Sequence, residues 1–335
     1  MGTKKGLEST VIPEANHNFE AVEVSGFERR LSLNNFKSCF RLIGAILRCR
    51  AIVNDFNPDI VVGLGGYVSV PVVAVAAFKR IPILLHEQNA IPGLANKLLA
   101  GRAGVVAISF PSSERFFSRV RRIILTGNPV RTSVLGVHGK EYARFKLDSN
   151  RKTILIFGGS RGAQRINEAA IAAYPLYKGL ANLQIIHSTG KMNFDSVVDE
   201  LKKLRSPDDK IIYRCYPYLD EINLAYADAD LVVCRAGATT LAEITALGKP
   251  AVLIPYPYAT GDHQKKNAQV LEDAGAASLI EDSELSGKEL FRVTTGIVFD
   301  QNLLQEMSEA GRGLGHPDAA QKMKQLALEL VRSEK

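Results

Sequence analysis

Short apolar runs rich in Val and Ile recur along the chain at helix-length intervals, as in DIVVGL, IPILLH, GVVAI, TILIF, DLVVC and KPAVLIP. A strand buried on both faces reads as a continuous apolar run rather than an alternating one, and parallel strands need a crossover connection, usually a helix. The pattern therefore dictates an α/β fold built on parallel sheets. Strands are predicted near residues 20–24, 59–64, 82–86, 104–108 and 122–126, and again near 153–157, 184–187, 211–213, 230–234, 251–254 and 276–280. Residues 132–151 (TSVLGVHGKEYARFKLDSNR) carry little strand signal and many polar residues, so each set forms its own doubly wound, Rossmann-like sheet. The expected domains are 1–131, a linker over 132–151, and 152–316, the two domains facing each other across a cleft. Pro317 and Asp318 then suit the start of a final helix in the segment 317–335, with Ala319, Met323, Leu326, Leu328 and Leu330 at helical spacing. The length of 335 residues, roughly twice that of a typical domain, agrees with two cores.

Composition narrows the function classes. With 46% apolar and 23% charged residues the chain is ordinary globular protein and not a disordered one. No apolar run reaches the ~18 residues of a membrane span. MGTKKGLESTVIPEANHNF has no apolar signal-peptide core, so a cytoplasmic location is expected. Cys39, Cys49, Cys215 and Cys234 have no CxxC spacing and no neighbouring His, which predicts buried thiols rather than disulfides or a metal site. The net charge of +7 includes an acid-free stretch holding Arg29, Arg30, Lys37, Arg41, Arg48 and Arg50. That stretch is either a solvated helix face or a surface for an anionic membrane or phosphate-bearing substrate; Phe36, Phe40, Ile43 and Leu47 would share one face of the same helix. Nucleic acid fits less well and is not expected as a partner, because there is no Trp and no stripe of aromatics among the basic residues.

The two halves differ at their starts. The second opens with strand, glycine-rich turn and helix (ILIFGGSRGAQRIN), whereas the first opens with a polar stretch and a helix-like LESTVIPEA. The first strand of a doubly wound sheet lies near its middle, so a first unit is expected to be missing from this half.

Several strand ends carry residues suited to a ligand. Gly158–Gly159–Ser160–Arg161–Gly162–Ala163 follows ILIF and precedes a helix; small residues there let backbone N–H groups approach a phosphate, or simply make a tight turn. The spacing GGSxG, followed after the next strand by IIHSTGK, is not the GxGxxG pattern with an acid about 20 residues on, which disfavours a dinucleotide. In CRAGATTLAE, Ala238, Thr239 and Thr240 open a helix toward a diphosphate, and Glu243, one turn inside, is placed to accept a ribose diol or merely to complement the helix dipole. PYPYATGDHQ, with His263 and Gln264, is a polar loop at another strand end. In the first half GLGGYVS, HEQN and GNPVR end three strands and would line one wall of the cleft, although His86 and Glu87 could equally be a structural hydrogen-bonded pair.

Taken in order, GLGGYVS, HEQN, GNPVR, GGSRGAQRIN, CRAGATTLAEI and DHQKKNA resemble the MurG family over essentially the whole chain. The resemblance implies a GT-B fold and inverting transfer of N-acetylglucosamine from UDP-N-acetylglucosamine to lipid I, giving lipid II for peptidoglycan, with no cofactor and no metal-binding DxD motif. It puts Asn89, Arg131, Ser160, Leu219 (in YLDEI), Ala238, Thr239, Thr240, Glu243 and Gln264 at the donor. Gly159 and His263 join them, His263 standing where some members have Gln. Gly65, Gly66 and Tyr67 would face the acceptor pyrophosphate. Family members begin with a strand and a GGTGGH loop whose histidine is the usual candidate base, and nothing like it precedes Gly26. The expectation is that the true start lies upstream of Met1, the alternative being a weakly active or non-catalytic UDP-sugar-binding form. Among retained residues His86 and Glu87 are the candidate bases. The expected partners are the two substrates and the anionic inner-membrane surface, with a peripheral position on its cytoplasmic face. A diacylglycerol-directed sugar transferase and a UDP-sugar 2-epimerase share the architecture; HEQN together with GNPVR argues against both.

Overall fold

The computed structural model describes residues 1–24, 33–118, 120–137, 139–159 and 163–333, with backbone alone for 33–41. The chain forms two compact units, Met1–Thr126 with Ala320–Lys335, and Gly127–Ala319.

The first unit holds strands β1 (Val61–Gly63), β2 (Ile83–Glu87), β3 (Val105–Ile108) and β4 (Ile123–Leu125), all parallel and adjacent in that order. Every residue of β2 and β3 is buried, as their continuous apolar runs require. One face packs Val61, Leu85 and Val106 against Val73 and Ala76 of the helix Gly66–Phe78. On the other, Leu84, Val105 and Ala107 are covered by Leu326, with Met323 and Leu330, from the final helix Ala319–Ser333. Gly104 permits that approach, since a Cβ there would lie 2.7 Å from Leu330 Cδ2. The helix Leu33–Phe56 packs Ala45, Cys49 and Val53 against Val22 and Val75.

Residues 20–24 do not form the predicted strand. Ala21 makes one parallel bridge to Gly2, closed by the Val22 N–H donating to the Gly2 carbonyl at 2.9 Å. The apolar pattern was right, for Val22 is buried, but a strand persists only where a neighbour offers several consecutive backbone partners. Among the described residues β1 is an edge strand. An apolar cavity of about 700 Å³ borders Met1 and Gly2 as well as Val61 and Val62.

The second unit holds β5 (Lys152–Phe157), β6 (Leu183–Ser188), β7 (Ile212–Tyr216), β8 (Leu231–Cys234), β9 (Ala251–Leu253) and β10 (Ala277–Leu279). All six are parallel, in the order β10-β9-β8-β5-β6-β7. The helices Gln164–Tyr177 and Gly287–Val298 pack closely, and Gly287 is needed there because a Cβ would meet the Ala172 backbone carbon at 2.5 Å. Between the sheet and the helix Gln164–Tyr177, Tyr213 donates to His187 Nδ1 at 3.0 Å, His187 Nε2 lies 3.0 Å from Asn167 Oδ1, and Asn167 Nδ2 donates to the Thr189 carbonyl at 2.9 Å. Burial holds His187 neutral, its pKa lowered to about 3. Apart from residues 20–24 the predicted strands appear within a few residues of their expected bounds, in two parallel α/β units. No helix of the described residues is long and apolar enough to cross a membrane, and no group of three His, Cys, Asp or Glu among them is placed to hold a metal.

Candidate functional site

Strand order in the second unit reverses between β5 and β8. Their last residues, Phe157 and Cys234, are in register, and Cys234 is in turn in register with Leu253 of β9. The turns that leave these three strands therefore open side by side, at the kind of switch point where open α/β sheets bind ligands.

The turn after β5 begins with Gly158 and Gly159; Gly159 has φ +88°, a left-handed value that favours glycine. Ser160 lies outside the described residues. After β8, Arg235 is nearly buried and donates to the carbonyls of Ile254 and Pro255 and to Asp282 Oδ1, at 3.2, 3.1 and 2.5 Å. It thereby ties the β8 turn to the β9 loop. Gly237 then starts the helix Ala238–Leu247 without a side-chain cap, so its first-turn N–H groups carry the positive end of the helix dipole toward the rim. Ala238 and Thr240 are half-buried there and Thr239 is exposed.

Glu243 sits one turn further in, 4% exposed. Its Oε1 accepts from Arg131 Nε at 3.1 Å and Nη2 at 2.9 Å, and its Oε2 accepts from the Tyr226 hydroxyl at 3.0 Å. Burial, and then the Glu243 charge, push the Tyr226 phenol well above its usual range, which keeps it a donor. The Tyr226 ring meets Phe157 edge-on at 6.0 Å, joining the carboxylate to the end of β5. In the β9 loop, Gln264 Oε1 accepts from the Tyr256 N–H at 2.9 Å, while His263 Nδ1 is buried without a partner. The structure thus gathers Gly159, Arg131, Ala238, Thr239, Thr240, Glu243, His263 and Gln264 along the β5, β8 and β9 ends. Leu219, 7% exposed, follows β7, two strands beyond β5.

The first unit carries a second cluster at the ends of β1 and β2. Gly65 and Gly66 have φ of +83° and +73°, and Tyr67 beside them is exposed. Glu87 is buried and accepts four hydrogen bonds: from the Asn89 N–H and Nδ2 at 2.9 and 3.2 Å, the Gly93 N–H at 3.1 Å and Asn96 Nδ2 at 2.8 Å. A carboxylate offers about four lone-pair sites, so none remains to take a proton from an incoming hydroxyl. His86, also buried, lies 3.3 Å from Ser109 Oγ through Nε2 and 3.3 Å from Gln88 Nε2 through Nδ1. Sequence reasoning did not single out Tyr226 and Asn96. A Tyr inside NLAYADADL and an Asn inside LANKLL are unusual in otherwise small or apolar helix faces, and that was the available signal.

Two parallel α/β units, one with a phosphate-suited helix start and a buried carboxylate at its switch point, define the GT-B class of sugar transferases. A model described as the glycosyltransferase family 28 N-terminal domain matches residues 1–108, and one described as the C-terminal domain matches residues 153–323. The chain belongs to glycosyltransferase family 28 and, within it, to the MurG family. It is 46% identical over 95% of its length to the UDP-N-acetylglucosamine–N-acetylmuramyl-(pentapeptide) pyrophosphoryl-undecaprenol N-acetylglucosamine transferase of Halothermothrix orenii, spanning 86% of that protein. It is 41% identical over 99% of its length to a transferase of the same name, numbered 1, from Bacillus cereus, spanning 90% of it. Among solved structures, MurG of Acinetobacter baumannii aligns with a TM-score of 0.76 at 29% identity, over 98% of this chain and 89% of that one.

Proposed function

We propose that this chain transfers N-acetylglucosamine from UDP-N-acetylglucosamine to lipid I, giving lipid II, with inversion at the anomeric carbon. The observation that carries the reading is Glu243, a buried carboxylate one turn behind an uncapped helix start at the switch point. A ribose diol suits the carboxylate, and a diphosphate suits the N–H groups of Ala238, Thr239 and Thr240 with Gly159; Ser160, outside the described residues, is proposed for the same phosphates. Departing UDP carries negative charge, which the helix N-terminus and glycine turn would stabilise. Arg131, Leu219, His263 and Gln264 complete the proposed donor site within the second unit. Gly65, Gly66 and Tyr67 are proposed for the acceptor pyrophosphate, the two glycines offering backbone N–H groups from a left-handed turn that side-chain-bearing residues rarely adopt.

A second reading, a UDP-sugar-binding form without turnover, draws support from the saturated hydrogen bonding of Glu87, which suits it to organising its loop rather than to acting as base. We also propose a peripheral position on the cytoplasmic face of the inner membrane. Ile43 and Leu47 are 56% and 62% exposed, while Ala45, Cys49 and Val53 face the core, so the helix Leu33–Phe56 presents an apolar outer edge within its basic stretch. Arg29 and Arg30, and the side chains of Phe36, Lys37, Phe40 and Arg41, lie outside the described residues.

Incubating the full chain with radiolabelled UDP-N-acetylglucosamine and detergent-dispersed lipid I tests both readings. Lipid II should form, and Glu243→Ala should slow its formation by at least about tenfold at sub-saturating donor. UDP binding without any transfer would establish the second reading instead.

A further inference from the structure

Glu243 already accepts hydrogen bonds from two neighbouring side chains. Arg131 Nε and Nη2 fill both lone pairs of Oε1, at 3.1 and 2.9 Å, and the Tyr226 hydroxyl fills one of Oε2, at 3.0 Å. Of about four acceptor positions on an ionised carboxylate, one is open. A vicinal diol brings two donors, so it cannot be held bidentately unless a present partner leaves. The two partners differ in how they can move. The Arg131 side chain is 55% exposed and hangs from an extended backbone position, whereas Tyr226 is wholly buried with its ring against Phe157. Withdrawing Tyr226 would open the core; withdrawing Arg131 only returns a guanidinium to water or to another anion.

We infer that nucleoside recognition here is an exchange: the ribose diol displaces Arg131 from Oε1 of Glu243, while Tyr226 stays on Oε2 as the positioning residue that fixes the carboxylate. This rests on the ribose assignment of Glu243 made above. The freed guanidinium needs a new anion, and the diphosphate of the donor supplies one. A ligand with both diol and diphosphate therefore gains from the exchange, and a ligand with the diol alone must break an ion pair and leave Arg131 without one. The arrangement discriminates a nucleoside diphosphate from its nucleoside beyond the direct contacts of the phosphates.

Binding of UDP, uridine and 2′,3′-dideoxyuridine to the full chain, measured by calorimetry with the nucleosides displacing UDP, tests the exchange. Arg131→Met should bind uridine about tenfold more tightly than wild type and UDP more weakly, and the gain for uridine should vanish with dideoxyuridine. Tyr226→Phe, which keeps the ring packing, should bind uridine more weakly and lose most of the preference for uridine over dideoxyuridine. A merely structural tyrosine would leave that preference intact, and this result would overturn its positioning role. If Glu243→Gln weakens uridine binding while Arg131→Met leaves it unchanged or weaker, the exchange is wrong and the ribose assignment stands. If Glu243→Gln and wild type both bind uridine and dideoxyuridine equally, the ribose assignment fails and the exchange with it.

Discussion

Phe157 and Cys234 are paired in register at the ends of β5 and β8, and a helix follows each strand, Gln164–Tyr177 after β5 and Ala238–Leu247 after β8. The Tyr226 ring leans on the first of these residues and its hydroxyl on Glu243, so the geometry of the strand pair is passed directly to the carboxylate.

The donor assignment predicts the effect of removing that carboxylate. Charge-assisted hydrogen bonds are worth about 1.5–3 kcal/mol. Glu243→Ala should therefore weaken UDP binding by at least about tenfold in a protein that still melts cooperatively. Unchanged UDP affinity by calorimetry would remove Glu243 from the site.

Glu87→Gln should loosen the loop 87–93. An amide has one oxygen for four donors that now share two, and each buried donor left unsatisfied costs about 1–3 kcal/mol. Hydrogen exchange at Asn89 and Gly93 should accelerate well beyond the rest of the first unit. Unaltered protection would show that the carboxylate is not what holds the loop.

His187 gives the second unit a pH dependence of known sign. In the unfolded chain histidine binds its proton near pH 6.5, and in the fold only near pH 3, because burial disfavours the cation. Between those values the unfolded state holds the extra proton, so stability falls as pH drops, by at most about 1.4 kcal/mol per pH unit. The urea midpoint should drop from pH 7 to pH 5 in wild type and drop less in His187→Gln. Equal slopes would refute the contribution.

Gly287→Ala should destabilise the second unit by about 1–3 kcal/mol, since the added methyl meets the backbone of Ala172 and not a side chain that can rotate. A thermal melt decides the matter, and an unchanged midpoint would mean that the two helices part without cost.

Membrane attachment through the helix Leu33–Phe56 should be both apolar and electrostatic. Sedimentation with anionic vesicles should fall as salt rises and fall again in Ile43→Asp with Leu47→Asp. Equal sedimentation with neutral vesicles would rule out the electrostatic part.

The strands were legible because ILIF in β5 and LVVC in β8 are buried on both faces, which leaves their apolar runs unbroken. EAVEV at 20–24 carries a weaker apolar signal, broken by Glu20 and Glu23, and whether it pairs beyond Ala21 depends on a neighbour that local sequence does not reveal. The position of Glu243 one turn into its helix could be read from the strand-turn-helix pattern. Its partners could not, because Arg131 and Tyr226 reach it from distant segments that tertiary packing alone brings together. The saturation of Glu87 was hidden for the same reason: in the sequence HEQN looks like exposed chemistry, and only Asn96, folded back from the next helix, completes its inward hydrogen bonding.

The final helix covers a face of the first sheet, and this sets an order on biosynthesis. Leu84, Val105 and Ala107 leave the ribosome long before Leu326 and Leu330, which cover them, and the whole of Gly127–Ala319 is made in between. At about 5–20 residues per second that interval is roughly ten to forty seconds. The second unit, contiguous in sequence, can fold during it, while the β2–β3 face of the first stays bare and sticky until the last helix emerges. Nascent chains stalled within the second unit should therefore be held by chaperones at their older half and not at their newer one.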